Sequence, residues 1–291
     1  MNLLPLLTAI QIQRAVSLGA NVTLLAANLR HDSKAMTGSG IFTPSTSIYH
    51  HAFHHPGGPE EGKLLTGGEG DSEPLSASLP TRSPNPSPSP SHFISSMMCD
   101  PFSFVLLHGS EGQLTVCDGP LCCHLQYRRA LLKGTLTDFS RSRLMVSMIT
   151  PLPLQVCALV RCSGSEVSSC GKEVEEAESR VDFRLEGKFG TRYVYPSLLG
   201  SGMVVDKPDR IEKTTDGRVT MEHSGMSVGL VTACLYAIPK LGYRGTPNKN
   251  VIHLKKIYIY IYTLLKKIKG TLKQHNVTPS QSHFCEIKLS T

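Results

Sequence analysis

Tryptophan is absent from this chain of 291 residues, and Phe, Tyr and Trp together make up only 6% of it. Nucleic-acid modules combine positioned Arg or Lys with stacking aromatics. Here the formal net charge of +7 has no such setting. Much of it sits near the C-terminus, at Lys255, Lys256, Lys266, Lys267, Lys269 and Lys273, so no nucleic-acid partner is expected. No apolar run approaches the roughly 20 residues of a membrane span, so no transmembrane span is expected. Residues 1–12 are apolar but lack the basic start and small-residue cleavage site of a secretory leader. There is no C-x-x-C, which excludes a thioredoxin-like redox site. Gly38 and Gly40 form a G-x-G without the third glycine and following helix of a dinucleotide site, so no such cofactor is expected.

Nine cysteines are present, and six of them fall within residues 117–170: Cys117, Cys122, Cys123, Cys157, Cys162 and Cys170. Structural zinc wants two C-x2-4-C pairs closing a tetrahedron. Cys122 and Cys123 are adjacent, and Cys157 and Cys162 are too far apart, so no metal site is expected. The β-like runs 113–116, 124–127 and 154–160 surround these cysteines. Cysteines among strands and turns read as disulfides in an oxidising compartment. The alternative is buried free thiols, since Cys packs as a small hydrophobe. Six cysteines allow 15 pairings, and the sequence does not choose among them.

Along the chain, residues 3–18 predict a helix with Leu3, Leu6, Leu7 and Ile10 on one face, Pro5 in the first turn and Gly19 as the stop. Residues 22–29 (VTLLAANL) predict a strand covered on both faces. Gly38 and Gly40, within MTGSGI (36–41), read as a tight structural turn rather than a ligand contact. His50 with His54, and His51 with His55, have the i,i+4 spacing of a helical metal site, but Pro56 breaks any helix there and a solvated loop is expected. Residues 67–96 are a Gly/Ser/Pro-rich linker that buries too little to offset its ordering entropy. Residues 102–109 and 113–117 predict a β-hairpin about Ser110, Glu111 and Gly112. Val181, Phe183 and Leu185 alternate onto one face, followed by Phe189 and Tyr193. Residues 228–236 predict a last apolar strand. Residues 257–262 (IYIYIY) read as an edge-like, aggregation-prone run.

The segments VCDGPLCCHLQY (116–127), LQVCALVRCSG (154–164) and SSCGKEVEEAESRVDFRLEGKFGTRYVYP (168–196) resemble the C-terminal domain of the biotinidase and vanin (pantetheinase) branch of the nitrilase, or carbon–nitrogen hydrolase, superfamily. The resemblance covers most of residues 1–66, 97–136 and 154–236, in order, and LQVCALVRC is closer to the biotinidases. It implies an α/β tail end of a nitrilase-like α-β-β-α sandwich, followed by a β-rich, disulfide-containing C-terminal domain. The implied division is a catalytic-domain remnant at 1–66, the linker at 67–96, the vanin-type domain at 97–237 and a basic tail outside the family at 238–291. Residues 137–153 depart from the family's pattern. Met1 aligns with the middle of the family's chain, so the resemblance expects the natural N-terminus to lie upstream.

The family hydrolyses non-peptide C–N bonds with a Glu–Lys–Cys set: thiolate nucleophile, general base and oxyanion stabiliser. The resemblance puts all three before Met1, so no catalytic residue is assigned here. Cys99 beside Asp100 has no Lys or His neighbour to lower its pKa, and reads as a surface or unpaired thiol. The expectation is the C-terminal portion of a biotinidase-like amidohydrolase, inactive alone, with a biocytin- or pantetheine-like amide as substrate only in a full-length form. The other reading is a non-catalytic secreted binding or structural protein derived from the family. Family and cysteines both imply an extracellular protein. Asn276 and Asn21 head N-x-T sequons. Asn276 is expected to be the accessible acceptor, and Asn21, entering a buried strand, to be hidden.

Overall fold

The computed structural model describes residues 6, 8–28, 38–50, 64–66, 90–94, 101–132, 141–149, 154–172, 174 and 176–238. His51, His54, His55, Cys99, Asn276, most of the linker and the whole basic tail lie outside the described residues.

Among the described residues one α-helix, α1 (Ala9–Ala20), precedes three antiparallel sheets. The first sheet has four strands in the order β1 (Leu24–Ala26), β2 (Ser39–Phe42), β3 (Ser47–His50) and β4 (Leu64–Thr66). The remaining strands in chain order are β5 (Ser91–Ile94), β6 (Pro101–Leu106), β7 (Glu111–Asp118), β8 (Leu121–Leu131), β9 (Ser142–Ile149), β10 (Leu154–Arg161), β11 (Ser179–Lys188) and β12 (Val194–Gly200). They end with β13 (Val204–Asp206), β14 (Arg210–Lys213), β15 (Arg218–His223) and β16 (Leu230–Ala237). A seven-stranded sheet, β13-β12-β16-β10-β9-β6-β5, packs on a five-stranded sheet, β14-β15-β11-β8-β7. The chain is therefore β-rich, as the sequence pattern requires.

Burial follows position. In the five-stranded sheet β8 and β11 alternate, with Leu121, Cys123, Leu125 and Tyr127, and Val181, Phe183 and Leu185, turned into the sandwich. Their outer face is wet and carries cross-strand ion pairs such as Arg184–Glu222 and Arg218–Glu186, which contribute little individually. In the seven-stranded sheet every residue of β10 is buried. Its Cys157 and Leu159 face the sandwich core, while Val156, Ala158 and Val160 join a second core with Ile10, Phe42 and Tyr49. A strand covered on both faces has no solvent side to mark with polar residues, which is why LQVCALV is apolar apart from Gln155.

Several expectations are corrected. The helix begins with Thr8 as N-cap, its hydroxyl accepting from the Gln11 amide at 3.4 Å, and ends on Asn21 at φ 54; Gly19 lies inside it. Asn tolerates the left-handed region, and its amide donates to the Ser17 carbonyl. The expected doubly covered strand at 22–29 is only Leu24–Ala26, at the edge of its sheet. Leu24 and Ala26 pack inward, whereas Leu25 is 73% exposed. Asn21 is exposed, not hidden. The segments 102–109 and 113–117 are not a hairpin, because β6 pairs with β5 and β9 whereas β7 pairs with β8. The turn between them is a corner where the chain changes sheets. It is held by Tyr127, whose hydroxyl donates to the His108 carbonyl at 2.5 Å, and by Arg129, which donates to the Leu107 and Gly109 carbonyls. Ser91–Ile94, placed at the end of the linker by composition, pair with β6. Residues 142–149, within the stretch expected to depart from the family's pattern, form β9 in the interior of the seven-stranded sheet.

Candidate functional site

The six cysteines singled out from the sequence pair as Cys117–Cys122, Cys123–Cys157 and Cys162–Cys170. Cys117 and Cys122 are direct cross-strand partners at the end of the β7–β8 hairpin. Cys123 on β8 and Cys157 on β10 link the two sheets through the core, both fully buried. Gly187 faces this bridge: a Cβ there would lie 2.7 Å from Cys157 Sγ and 3.0 Å from the Phe189 ring. Cys162–Cys170 ties off the loop after β10. Arg143 lies beneath that loop, 5% exposed, donating to the Ser165 carbonyl and stacked 5.7 Å from the Phe104 ring centre.

Among the described residues the only free thiol is Cys234. Burial pushes its pKa up to about 12, against a weaker opposing effect from Ser197. Such a thiol stays protonated and unreactive. Of the histidines with metal spacing, His50 lies in β3. Among the described residues no cluster of three or more His, Cys, Asp or Glu could hold a metal, and no helix is long and apolar enough to cross a membrane.

The most constructed polar region lies where α1 and β3 meet the seven-stranded sheet. Gln11, fully buried, donates from Nε2 to Thr232 Oγ1 at 2.6 Å and to Ser197 Oγ at 3.2 Å. Arg14 donates to the carbonyls of Thr43, Thr46 and Ser45. Burial lowers its pKa, with Asp206 and Tyr49 opposing. The Tyr49 hydroxyl donates to the Met203 carbonyl at 3.2 Å and accepts from the Val205 amide at 3.1 Å. Burial raises its pKa. The Gln11 amide and the Tyr49 hydroxyl are thus matched across the seam, as burial demands, and Arg14 bonds through its two terminal nitrogens while its buried Nε has no partner. Gly38, at φ 99, approaches Ile10, and Gly40 lies in β2 against Tyr49. Gly38 and Gly40 therefore shape this seam.

These residues form a docking seam and a cross-linked scaffold; no nucleophile–base pair lies among them. Sequence reading missed Gln11, Arg14, Tyr49 and His223. A signal existed for the first two: polar residues at i and i+3, next to Ile10 on the helix's apolar face, mark a partner able to bond them. Tyr49 and His223 had no comparable signature.

A family profile described as "Vanin C-terminal domain" matches residues 91–240. The chain is 48% identical over 263 residues to a biotinidase of Takifugu rubripes, covering 81% of this chain and 51% of that protein. It is 36% identical over 265 residues to the Homo sapiens biotinidase, with 81% and 49% covered. It is also 36% identical over 256 residues to a Homo sapiens pantetheine hydrolase, with 81% and 46% covered. The chain thus spans about half the length of the curated relatives it matches.

Proposed function

The chain belongs to the Vanin C-terminal domain family, and we propose that it is the non-catalytic C-terminal portion of a biotinidase-like amidohydrolase, acting as a disulfide-braced scaffold on which a catalytic domain is seated. In the full-length form the reaction is hydrolysis of a non-peptide amide such as biocytin, with pantetheine-like amides as the alternative substrate. The Glu, Lys and Cys of that reaction are assigned to the half of the relatives that this chain does not span. Alone, it is inactive. The observation that carries this reading is Cys234: the one free thiol among the described residues is held protonated in the core.

The first sheet supports the scaffold role. Leu25, Ile41 and Ile48 are register partners across β1, β2 and β3, and they are 73%, 46% and 47% exposed. An apolar row of this kind suits burial against a further layer. The three disulfides fit an extracellular setting, and Asn21 and Asn276 are proposed as its glycan acceptors. On this division residues 1–66 finish the catalytic layer, 67–90 connect, 91–237 form the scaffold, β5 included, and 238–291 lie outside it.

The test is biotin release from biocytin by the purified chain, beside a Cys99→Ala variant. No turnover is expected from either. Turnover lost in Cys99→Ala would assign the nucleophile to Cys99 and overturn the proposal.

A further inference from the structure

His223 ends β15 between the two sheets, 6% exposed, its ring centre 6.4 Å from that of Phe183 on β11. Nδ1 lies 3.3 Å from Asp209 Oδ1, and Nε2 lies 3.6 Å from Asp206 Oδ2. Neither contact is a well-directed hydrogen bond, and neither ring nitrogen has another partner. Asp206 ends β13, the edge strand of the seven-stranded sheet. Asp209 lies in the crossover 207–209, which carries the chain to β14 in the other sheet. A neutral imidazole has one N–H and one lone pair. With a carboxylate on each side, one lone pair must face an oxygen. Only the imidazolium presents a proton to both.

We propose that His223 is a proton-dependent clasp on the crossover between the two sheets: protonated, it holds Asp206 and Asp209 together; neutral, it releases them. The surrounding groups fit this role. From α1, the Arg14 guanidinium acts on Asp206 through its charge, and from β3 the Tyr49 hydroxyl couples to it electrostatically. From the crossover, the Lys207 amide donates to Asp206 Oδ1 at 2.7 Å. Beyond β15, the Ser224 amide and hydroxyl donate to Asp209 Oδ2 at 2.7 and 3.2 Å. From β11 comes the Phe183 ring, the cross-strand partner of His223. Asp206 therefore keeps a cation, Arg14, when His223 is neutral, whereas Asp209 keeps only the uncharged donors of Ser224.

The sign follows from the same contacts. Burial alone would lower the His223 pKa, but the two aspartates outweigh it and hold it above its ordinary 6.5. A proton held more tightly in the folded state stabilises the fold below that ordinary value, and the contribution is lost as pH rises through the folded one. Burial pushes Asp206 upward, but His223, the Lys207 amide and Arg14 bring it below its ordinary 3.8. Its contribution is present above that value and lost as pH falls through the lowered one. The clasp is closed between these limits and opens on the alkaline side. Opening reaches the N-terminal helix, because the Arg14 charge acts on Asp206 and Tyr49 bonds the neighbouring Val205 amide.

The test is thermal denaturation of the full chain from about pH 5.5 to 9, beside His223→Gln and Asp209→Asn, with histidine ring titration by NMR. In the wild type Tm declines on the alkaline side. His223→Gln abolishes that slope. Asp209→Asn, at a half-exposed side chain, moves its midpoint to lower pH. A His223→Gln profile lowered equally at every pH with the slope intact would show a merely structural ring and overturn the clasp. So would a His223 ring titrating at or below its ordinary value, or an unmoved midpoint in Asp209→Asn. Should His223→Gln fail to fold, the ring titration and Asp209→Asn decide.

Discussion

Gly187 shows how one side chain, or its absence, sets the packing between the sheets. It sits opposite Cys123 in the β8–β11 register and beneath Cys157. Any Cβ there meets Cys157 Sγ at 2.7 Å in a core where both cysteines are fully buried. Gly187→Ala is therefore expected to cost about 1–3 kcal/mol, as overpacking does, read as a shift in urea midpoint. The cost should shrink in a background carrying Cys123→Ala and Cys157→Ala, where the sulfur is gone; an equal cost in both backgrounds would deny the contact. Residue type was legible here and partnership was not. The cysteines could be marked as disulfide formers from their density, but Cys123 finds Cys157 only because two sheets stack. That contact has no local signature in the chain, and neither does the glycine that makes room for it.

Among elements, strands with one wet face were legible by alternation. β8 and β11 alternate because one side meets solvent and the other the core. β10 was legible as a β-like run between cysteines and β16 as a mostly apolar strand. β9 was not, because SRLMVSMI carries Arg143 and Ser147 on a face that is itself buried. Arg143 is covered by the Cys162–Cys170 loop, and Ser147 donates to the Pro101 carbonyl, so polarity there does not mark solvent. The β6–β7 connection was misread because Gly, Ser and Glu serve a sheet-changing corner as well as a hairpin. The helix was legible by period but not by its caps. Its seat makes a direct prediction. Gln11→Ala leaves Ser197 and Thr232 without their shared donor inside the seam and should cost about 1–3 kcal/mol. Hydrogen exchange would locate the loss: amides of α1 and β2 should exchange faster while those of β8 and β11 keep their protection. Uniform acceleration would show that α1 does not dock as a separable element.

For the whole molecule, the three disulfides differ in what they join, and this sets an order of importance. The chain separations are 34 for Cys123–Cys157, 8 for Cys162–Cys170 and 5 for Cys117–Cys122. In the chain-entropy view a cross-link stabilises by removing loop freedom from the unfolded chain, giving about 4, 2.5 and 2 kcal/mol for loops of these lengths. Geometry widens the gap. Cys117–Cys122 closes a hairpin whose strands already pair, and Cys162–Cys170 ties a surface loop. Cys123–Cys157 crosses the core between sheets, and replacing it by two alanines also leaves a cavity, which adds its own cost. Paired Cys→Ala variants of each bridge, compared by urea denaturation, should therefore lose stability in the order Cys123–Cys157, Cys162–Cys170, Cys117–Cys122. The first alone should loosen the packing of one sheet on the other, visible as faster exchange on both β8 and β10. A larger loss from the Cys117–Cys122 pair would mean that the hairpin end, and not the inter-sheet core, is where the covalent bracing matters.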